Sequence, residues 1–80
     1  MSNERVLKRF GTAVRRERER RGLTQEDLAF AAGLDRTYIS GIERGVRNPT
    51  LKTMLRISRA LGVRPSRLLR RMEDGAGWSG

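Results

Sequence analysis

Val6, Leu7, Phe10, Ala13 and Val14 recur at the three- and four-residue spacing of one helical face, predicting an amphipathic helix from about Glu4 to Arg21. Gly22, directly after Arg20 and Arg21, is a fitting stop. One position breaks the face. Glu17 lies between Val14 and Arg21, where it either pairs with a neighbouring arginine or leans out to solvent. Thr24 offers the cap of a second helix, about Gln25 to Ala32, with Leu28, Ala29 and Ala32 apolar; Glu26 and Asp27 suit its positive N-terminus. Gly33 ends that helix, and Asp35 caps a third, about Arg36 to Arg44, closed by Gly45. Pro49 disfavours helix at Asn48, so Arg47 to Thr50 reads as a loop whose Thr50 caps a fourth helix. Leu51, Met54, Leu55, Ile57, Ser58 and Leu61 predict a broad buried face there, and Gly62 ends it. Pro65 suits the first turn of a fifth helix with Leu68, Leu69 and Met72 as its stripe. No strand pattern appears, so the fold class is all-α, a compact bundle of about five short helices.

The second and third helices are short and joined through Gly33, which fits a helix-turn-helix, the arrangement that sends its second helix into the DNA major groove. Residues 1–72 then form one DNA-binding and dimerisation domain, and the helix-breaking stretch 73–80 forms a flexible tail in which Trp78 has no assignable role.

Charge sharpens this picture. The chain carries 18 basic and 9 acidic residues, a formal net charge of +9, and sixteen of the basic residues are arginine, the side chain suited to bidentate contact with phosphate and guanine edges. A small domain this basic implies a polyanionic partner. With 80 residues and a hydrophobic fraction of 36 %, the core is small enough for oligomerisation to matter. Cysteine and histidine are both absent, which removes thiolate metal sites, disulfides and the commonest general base; no metal, cofactor or small-molecule site is evident, and an enzyme is disfavoured. No apolar run approaches the roughly 20 residues of a membrane span, and the N-terminus has no secretory apolar region, so a cytoplasmic protein without a membrane partner is expected.

On the third helix Ile39 and Ile42 point inward, leaving Arg36, Thr37, Ser40, Gly41 and Arg44 on the outer face. Arg36 sits in the first turn, the part of a recognition helix that reaches bases, and its guanidinium matches guanine O6 and N7. The Thr37 methyl suits a thymine methyl, its hydroxyl a base or phosphate, Ser40 either, and Tyr38 at the flank a phosphate or base step. Gly41 leaves the centre of the face low, where a bulky side chain would hold the helix off. Phosphate contacts are expected from the rim: Gln25 at the start of the second helix, and Arg44, Arg47, Asn48 and Lys52 on the other side. Arg15, Arg16, Arg20 and Arg21 either add to the field or simply cover the first helix. Glu43, at the edge of the buried face, needs a partner, and Arg18 is the candidate.

These residues resemble the lambda-repressor-like, XRE-type helix-turn-helix family: Arg18, Gly22-Leu23-Thr24-Gln25, Leu28-Ala29, Gly33, Ile39, Ile42-Glu43-Arg44-Gly45, Arg47-Asn48-Pro49 and Ala60-Leu61-Gly62-Val63, in fixed order over about Phe10 to Leu69. Within it, Asp35 to Thr50 looks most like the controller proteins of restriction-modification systems, small dimeric regulators. The resemblance implies five helices with the third as reader, an Arg18–Glu43 pair, phosphate grips from Gln25 and Arg47, and base contacts from Arg36, Thr37, Tyr38 and Ser40. Glu17 departs from it, since the family usually has an aliphatic residue there.

The sequence therefore points to a transcriptional regulator that binds a double-stranded DNA operator as a homodimer, reading a pseudo-palindrome with half-sites roughly 34 Å apart. Ile57, Leu68, Leu69 and Met72 offer more apolar surface than a short terminal helix hides, and are the expected dimer contact. The rival readings are a protein-interaction module, such as an antitoxin or the DNA-binding subunit of a larger complex, and a membrane-surface protein, for which only the basic amphipathic first helix speaks.

Overall fold

The structure, a computed structural model, describes residues 3–74 together with Gly77 and Trp78. Five helices follow one another along the chain: α1 (Asn3–Arg20), α2 (Gln25–Ala32), α3 (Arg36–Glu43), α4 (Leu51–Leu61) and α5 (Pro65–Glu73). Among the described residues there is no strand. The caps lie where side-chain chemistry requires them. Thr24 accepts from the Asp27 backbone N–H at 3.0 Å while the Asp27 carboxylate accepts from the Thr24 N–H at 2.9 Å, a reciprocal box at the start of α2. Asp35 and Thr50 cap α3 and α4 one-sidedly, accepting from the Thr37 and Thr53 backbone N–H groups. Boundaries move by a residue: α1 stops at Arg20, α3 at Glu43, and α5 runs to Glu73, inside the stretch expected to be tail.

One core unites all five helices: Phe10 and Val14 from α1, Leu28 from α2, Ile39 and Ile42 from α3, Ile57 and Leu61 from α4, Leu68 and Met72 from α5. Each fully buried isoleucine or leucine contributes roughly 1.5–3 kcal/mol, and five such side chains are sealed from water here. This corrects two expectations. Ile57, Leu68 and Met72, assigned to the dimer contact, are 0 %, 1 % and 8 % exposed and fill the protomer's own interior, because so small a domain has no spare apolar residue for its centre; of the four, only Leu69 lies on the surface. The buried face of α4 is narrower than its sequence pattern, with Ile57, Ser58 and Leu61 inside, Met54 half-buried, and Leu51 and Leu55 exposed.

α1 and α5 run antiparallel. At one end Arg9 donates to the Met72 and Asp74 carbonyls; at the other, Arg67 and Arg71 meet Glu17. Glu17 resolves in favour of pairing, for it is completely buried. Its Oε1 accepts from Arg67 Nε and Arg71 Nε, both at 2.9 Å, and its Oε2 from Arg21 at 2.8 Å. The expected mobile tail falls partly on residues 75, 76, 79 and 80, outside those described; Trp78 lies 5.7 Å beneath the Arg9 guanidinium, a cation–π contact that gives it a place against α1.

Two glycines let α3 approach α1. A Cβ on Gly11 would collide with the backbone carbonyls of Ile42 and Glu43, 2.6 Å from the latter, so the end of α3 lies directly on the α1 backbone. Gly45 leaves α3 at φ +76°, a conformation costly for other residues, and a Cβ there would strike the Lys8 backbone.

Candidate nucleic-acid interface

α3 is held from behind and open in front. Ile39 and Ile42 are 0 % and 1 % exposed, anchoring the inner face in the core. At its C-terminal end Arg18 grips Glu43 with two parallel bonds, Nε to Oε2 at 2.7 Å and a terminal nitrogen to Oε1 at 3.0 Å. Both side chains are almost wholly buried, and Arg18 also donates to the Leu23 carbonyl at 2.8 Å. The Glu43 bonds hold the Arg18 guanidinium above its ordinary pKa, so it stays charged. The expected Arg18–Glu43 pair is thus present, and it ties α1, the α1–α2 turn and α3 into one unit.

Gln25 belongs to that unit. Its amide donates to Glu43 Oε1 at 3.0 Å and the side chain is half-buried. The sequence reading left this amide free for phosphate. In the structure one of its N–H groups is committed, because the Glu43 carboxylate lies within reach across the α2–α3 corner.

On the open side, Arg36 occupies the first turn of α3 and is exposed, as is Arg44 at the far end. Thr37 is exposed, but its hydroxyl donates to the Asp35 carboxylate at 2.6 Å and its backbone N–H to the same oxygen at 2.8 Å. The hydroxyl proton is therefore used in the cap. These bonds from Thr37, with Arg36 adding to them, keep the Asp35 carboxyl below its usual range, so the cap is ionised at neutral pH. Tyr38 and Ser40 are half-buried, Tyr38 with its ring against the core cluster. Asn48 and Lys52 are exposed, in the loop after α3 and the first turn of α4, and Asn48 borders a groove lined by Val6, Leu7 and Leu69.

Gly41 differs from its expected role. It is buried, and the Arg47 side chain lies across it, the Arg47 Cγ 2.6 Å from where a Cβ would stand. Glycine is needed there so that the loop arginine can lay its aliphatic stem on α3. No spacing rule pairs the two positions. Arg56 was missed as well: from α4 it donates to the Ala32 carbonyl at 3.1 Å and the Gly33 carbonyl at 2.7 Å, closing the C-terminus of α2. The available signal was α2 itself, eight residues long with no basic residue in its last turn to satisfy those carbonyls.

The assembled face has cations at both ends of α3 and on the adjoining loop, small or half-buried side chains between them, and two acidic neighbours, the cap Asp35 and the exposed Glu26 that shares a concavity with Arg36. Among the described residues no group of three His, Cys, Asp or Glu side chains is placed to hold a metal ion, and no helix is long and apolar enough to cross a membrane.

Comparison with known proteins agrees with this geometry. The helix-turn-helix family model matches residues 14–68. The control protein C.BamHI of Bacillus amyloliquefaciens is 51 % identical over 69 residues, covering 85 % of this chain and 83 % of that protein. The control protein C.SmaI of Serratia marcescens is 45 % identical over 58 residues, covering 72 % and 69 %. The crystal structure of the restriction-modification controller protein C.AhdI from Aeromonas hydrophila superposes with a TM-score of 0.77 at 47 % identity, covering 78 % of this chain and 94 % of that one.

Proposed function

The chain belongs to the helix-turn-helix family of transcriptional regulators, close to the restriction-modification controllers, and on that premise we propose that it binds a pseudo-palindromic DNA operator as a homodimer and acts as such a controller in the cytoplasm. The observation that carries this reading is the two-sidedness of α3: sealed and ion-paired behind, cationic and uncovered in front. Arg36, the Thr37 methyl, Tyr38 and Ser40 read base edges; Gln25, Arg44, Arg47, Asn48 and Lys52 hold phosphates. One such helix sees only a few base pairs, so two copies are needed for useful specificity, with half-sites about one helical turn apart.

The dimer contact follows from what the core leaves outside. Leu51, Leu55 and Leu69 are 71 %, 41 % and 46 % exposed on α4 and α5, and Leu69 borders an apolar groove of about 250 Å³ lined also by Val6, Leu7 and Met54. Such surface is costly to leave in water and fits a twofold contact between copies. Selection of bound duplexes from a random pool tests the proposal. A consensus with inverted repeats is expected; an asymmetric consensus, or no enrichment, overturns it.

A further inference from the structure

Most of the chain's positive charge lies away from α3. Twelve of the 18 basic residues fall in α1, the Arg21 that follows it, and the segment Arg64–Arg71. The ion pairs explain some of them: Arg18 serves Glu43, and Arg21, Arg67 and Arg71 surround Glu17. That second cluster is overcharged: three guanidiniums meet one buried carboxylate, and one of them, Arg71, has a further acidic neighbour in Asp74 at 3.8 Å. Around it stand Arg16, Arg20, Arg64 and Arg70, all exposed and none bonded to an acidic group among the described residues.

These side chains lie on one side of the molecule. α3 meets α1 at Gly11 and Arg18. At 100° per residue, Arg16 and Arg20 each project about 160° from Arg18, on the back of the domain. There the α1–α5 seam holds a shallow concavity of about 260 Å³ lined by Lys8, Arg9, Thr12, Arg16, Arg71 and Asp74, and the start of α5 alone lines a second of about 270 Å³ with Arg64, Ser66, Arg67 and Arg70. Along α1 the stretch from Arg9 to Arg20 rises about 16 Å, close to the axial rise of five phosphates of one DNA strand.

We propose that this α1–α5 seam is a second DNA-backbone surface, on which a protein already seated on its operator through α3 holds a second duplex segment. The chemistry favours a phosphate backbone over an acidic protein. Thr12 and Ser66 lie among these guanidiniums, with Met72 and Asp74 at one end of the strip; Trp78, 37 % exposed, is stacked under Arg9, and the other exposed large apolar residues, Phe30, Val46, Leu51, Leu55 and Leu69, line neither concavity, whereas a protein interface needs an apolar centre. Glu17 prepares the surface by fixing Arg67 and Arg71 in place without cancelling their charge.

The test is capture of a second duplex. Operator duplex on beads is saturated with the full chain, unbound protein is removed, and a labelled duplex of unrelated sequence is added at low salt. The wild type should retain it, with retention falling steeply as salt rises. The variant Arg16→Gln/Arg64→Gln/Arg70→Gln should bind the operator as before yet retain at least tenfold less of the second duplex. Retention no greater than on operator beads alone, or equal retention by the variant, overturns the proposal, as does preferential capture of polyglutamate. The proposal rests on operator binding for this format only. A variant with Arg36, Arg44 and Arg47 changed to Gln should keep residual binding to random duplex that disappears when Arg16, Arg64 and Arg70 are also changed, which separates failure of the seam from failure of the reader.

Discussion

Glu17→Gln removes a single charge at constant volume from the most enclosed acid in the protein. The carboxylate is fully buried and accepts three charge-assisted bonds, from Arg21, Arg67 and Arg71, whose side chains are 33 %, 42 % and 27 % exposed. A wholly buried bond of this kind contributes about 1.5–3 kcal/mol. Partners open to water at their outer ends lose half of that or more to screening, which leaves about 2–3 kcal/mol for the cluster. For a domain of this size that corresponds to a fall in Tm of about 10–20 °C at pH 7, at fixed protein concentration. The pH dependence distinguishes charge from packing. Burial pushes the Glu17 carboxyl up, but the bonds and fields of Arg67 and Arg71 outweigh it, so its folded pKa lies below the ordinary value of about 4.3. Stability from the charged form is therefore complete above that ordinary value and is lost as pH falls through the lower folded value. Thermal unfolding followed by circular dichroism should show the gap between wild type and Glu17→Gln closing on acidification below about pH 4.3. A gap unchanged between neutral and strongly acid solution, or no gap at neutral pH, would refute the electrostatic account. Glu17→Leu, which restores the aliphatic residue usual in the family, should be milder than Gln, since the three arginines can turn outward and leave an apolar side chain in an apolar place.

Four further outcomes are expected. Arg36→Ala should cost about 1–3 kcal/mol on the selected operator and much less on random duplex, measured by fluorescence anisotropy; equal losses would deny Arg36 a base-reading role. Arg47→Ala should weaken both duplexes alike and reduce the slope of log K against log salt by about 1 per protomer. Leu69→Glu should give monomers in sedimentation at concentrations where the wild type is dimeric, and a persistent dimer would place the contact elsewhere. Gly11→Ala should destabilise by about 3 kcal/mol in urea unfolding, because the added methyl meets carbonyls of Ile42 and Glu43 that cannot swing aside.

What the sequence disclosed was mainly local. Thr24, Asp35, Thr50 and the glycines at 22, 33 and 62 mark helix ends through short-range chemistry, and each end lies within a residue or so of its signal. The inward pair Ile39 and Ile42 and the outward Arg36 and Arg44 follow from helical period alone. What stayed hidden depends on which helices become neighbours. Glu17 looked like a flaw in an apolar face until α5 placed two arginines 50 and 54 residues along the chain against it. Leu68 and Met72 looked like surplus apolar surface because nothing in a local pattern states that α5 closes the core over α1. Gly41 looked like clearance for DNA, whereas its immediate need is the Arg47 stem.

The arginines decide how composition translates into binding. Charge count alone would assign all sixteen to nucleic acid, but several also serve the fold: Arg18 ties α3 to α1, Arg56 closes α2, Arg9 closes α5, and Arg21, Arg67 and Arg71 hold Glu17. The cations left exposed for the proposed reading face are Arg36, Arg44, Arg47 and Lys52, four per protomer and eight in the proposed dimer. At about 0.9 per neutralised phosphate, they limit the salt slope of operator binding to about −7. A steeper slope on a long duplex than on one trimmed to the operator would mean that cations outside this face had joined the contact, and the free arginines on the back of α1 and α5 are the group placed to supply them.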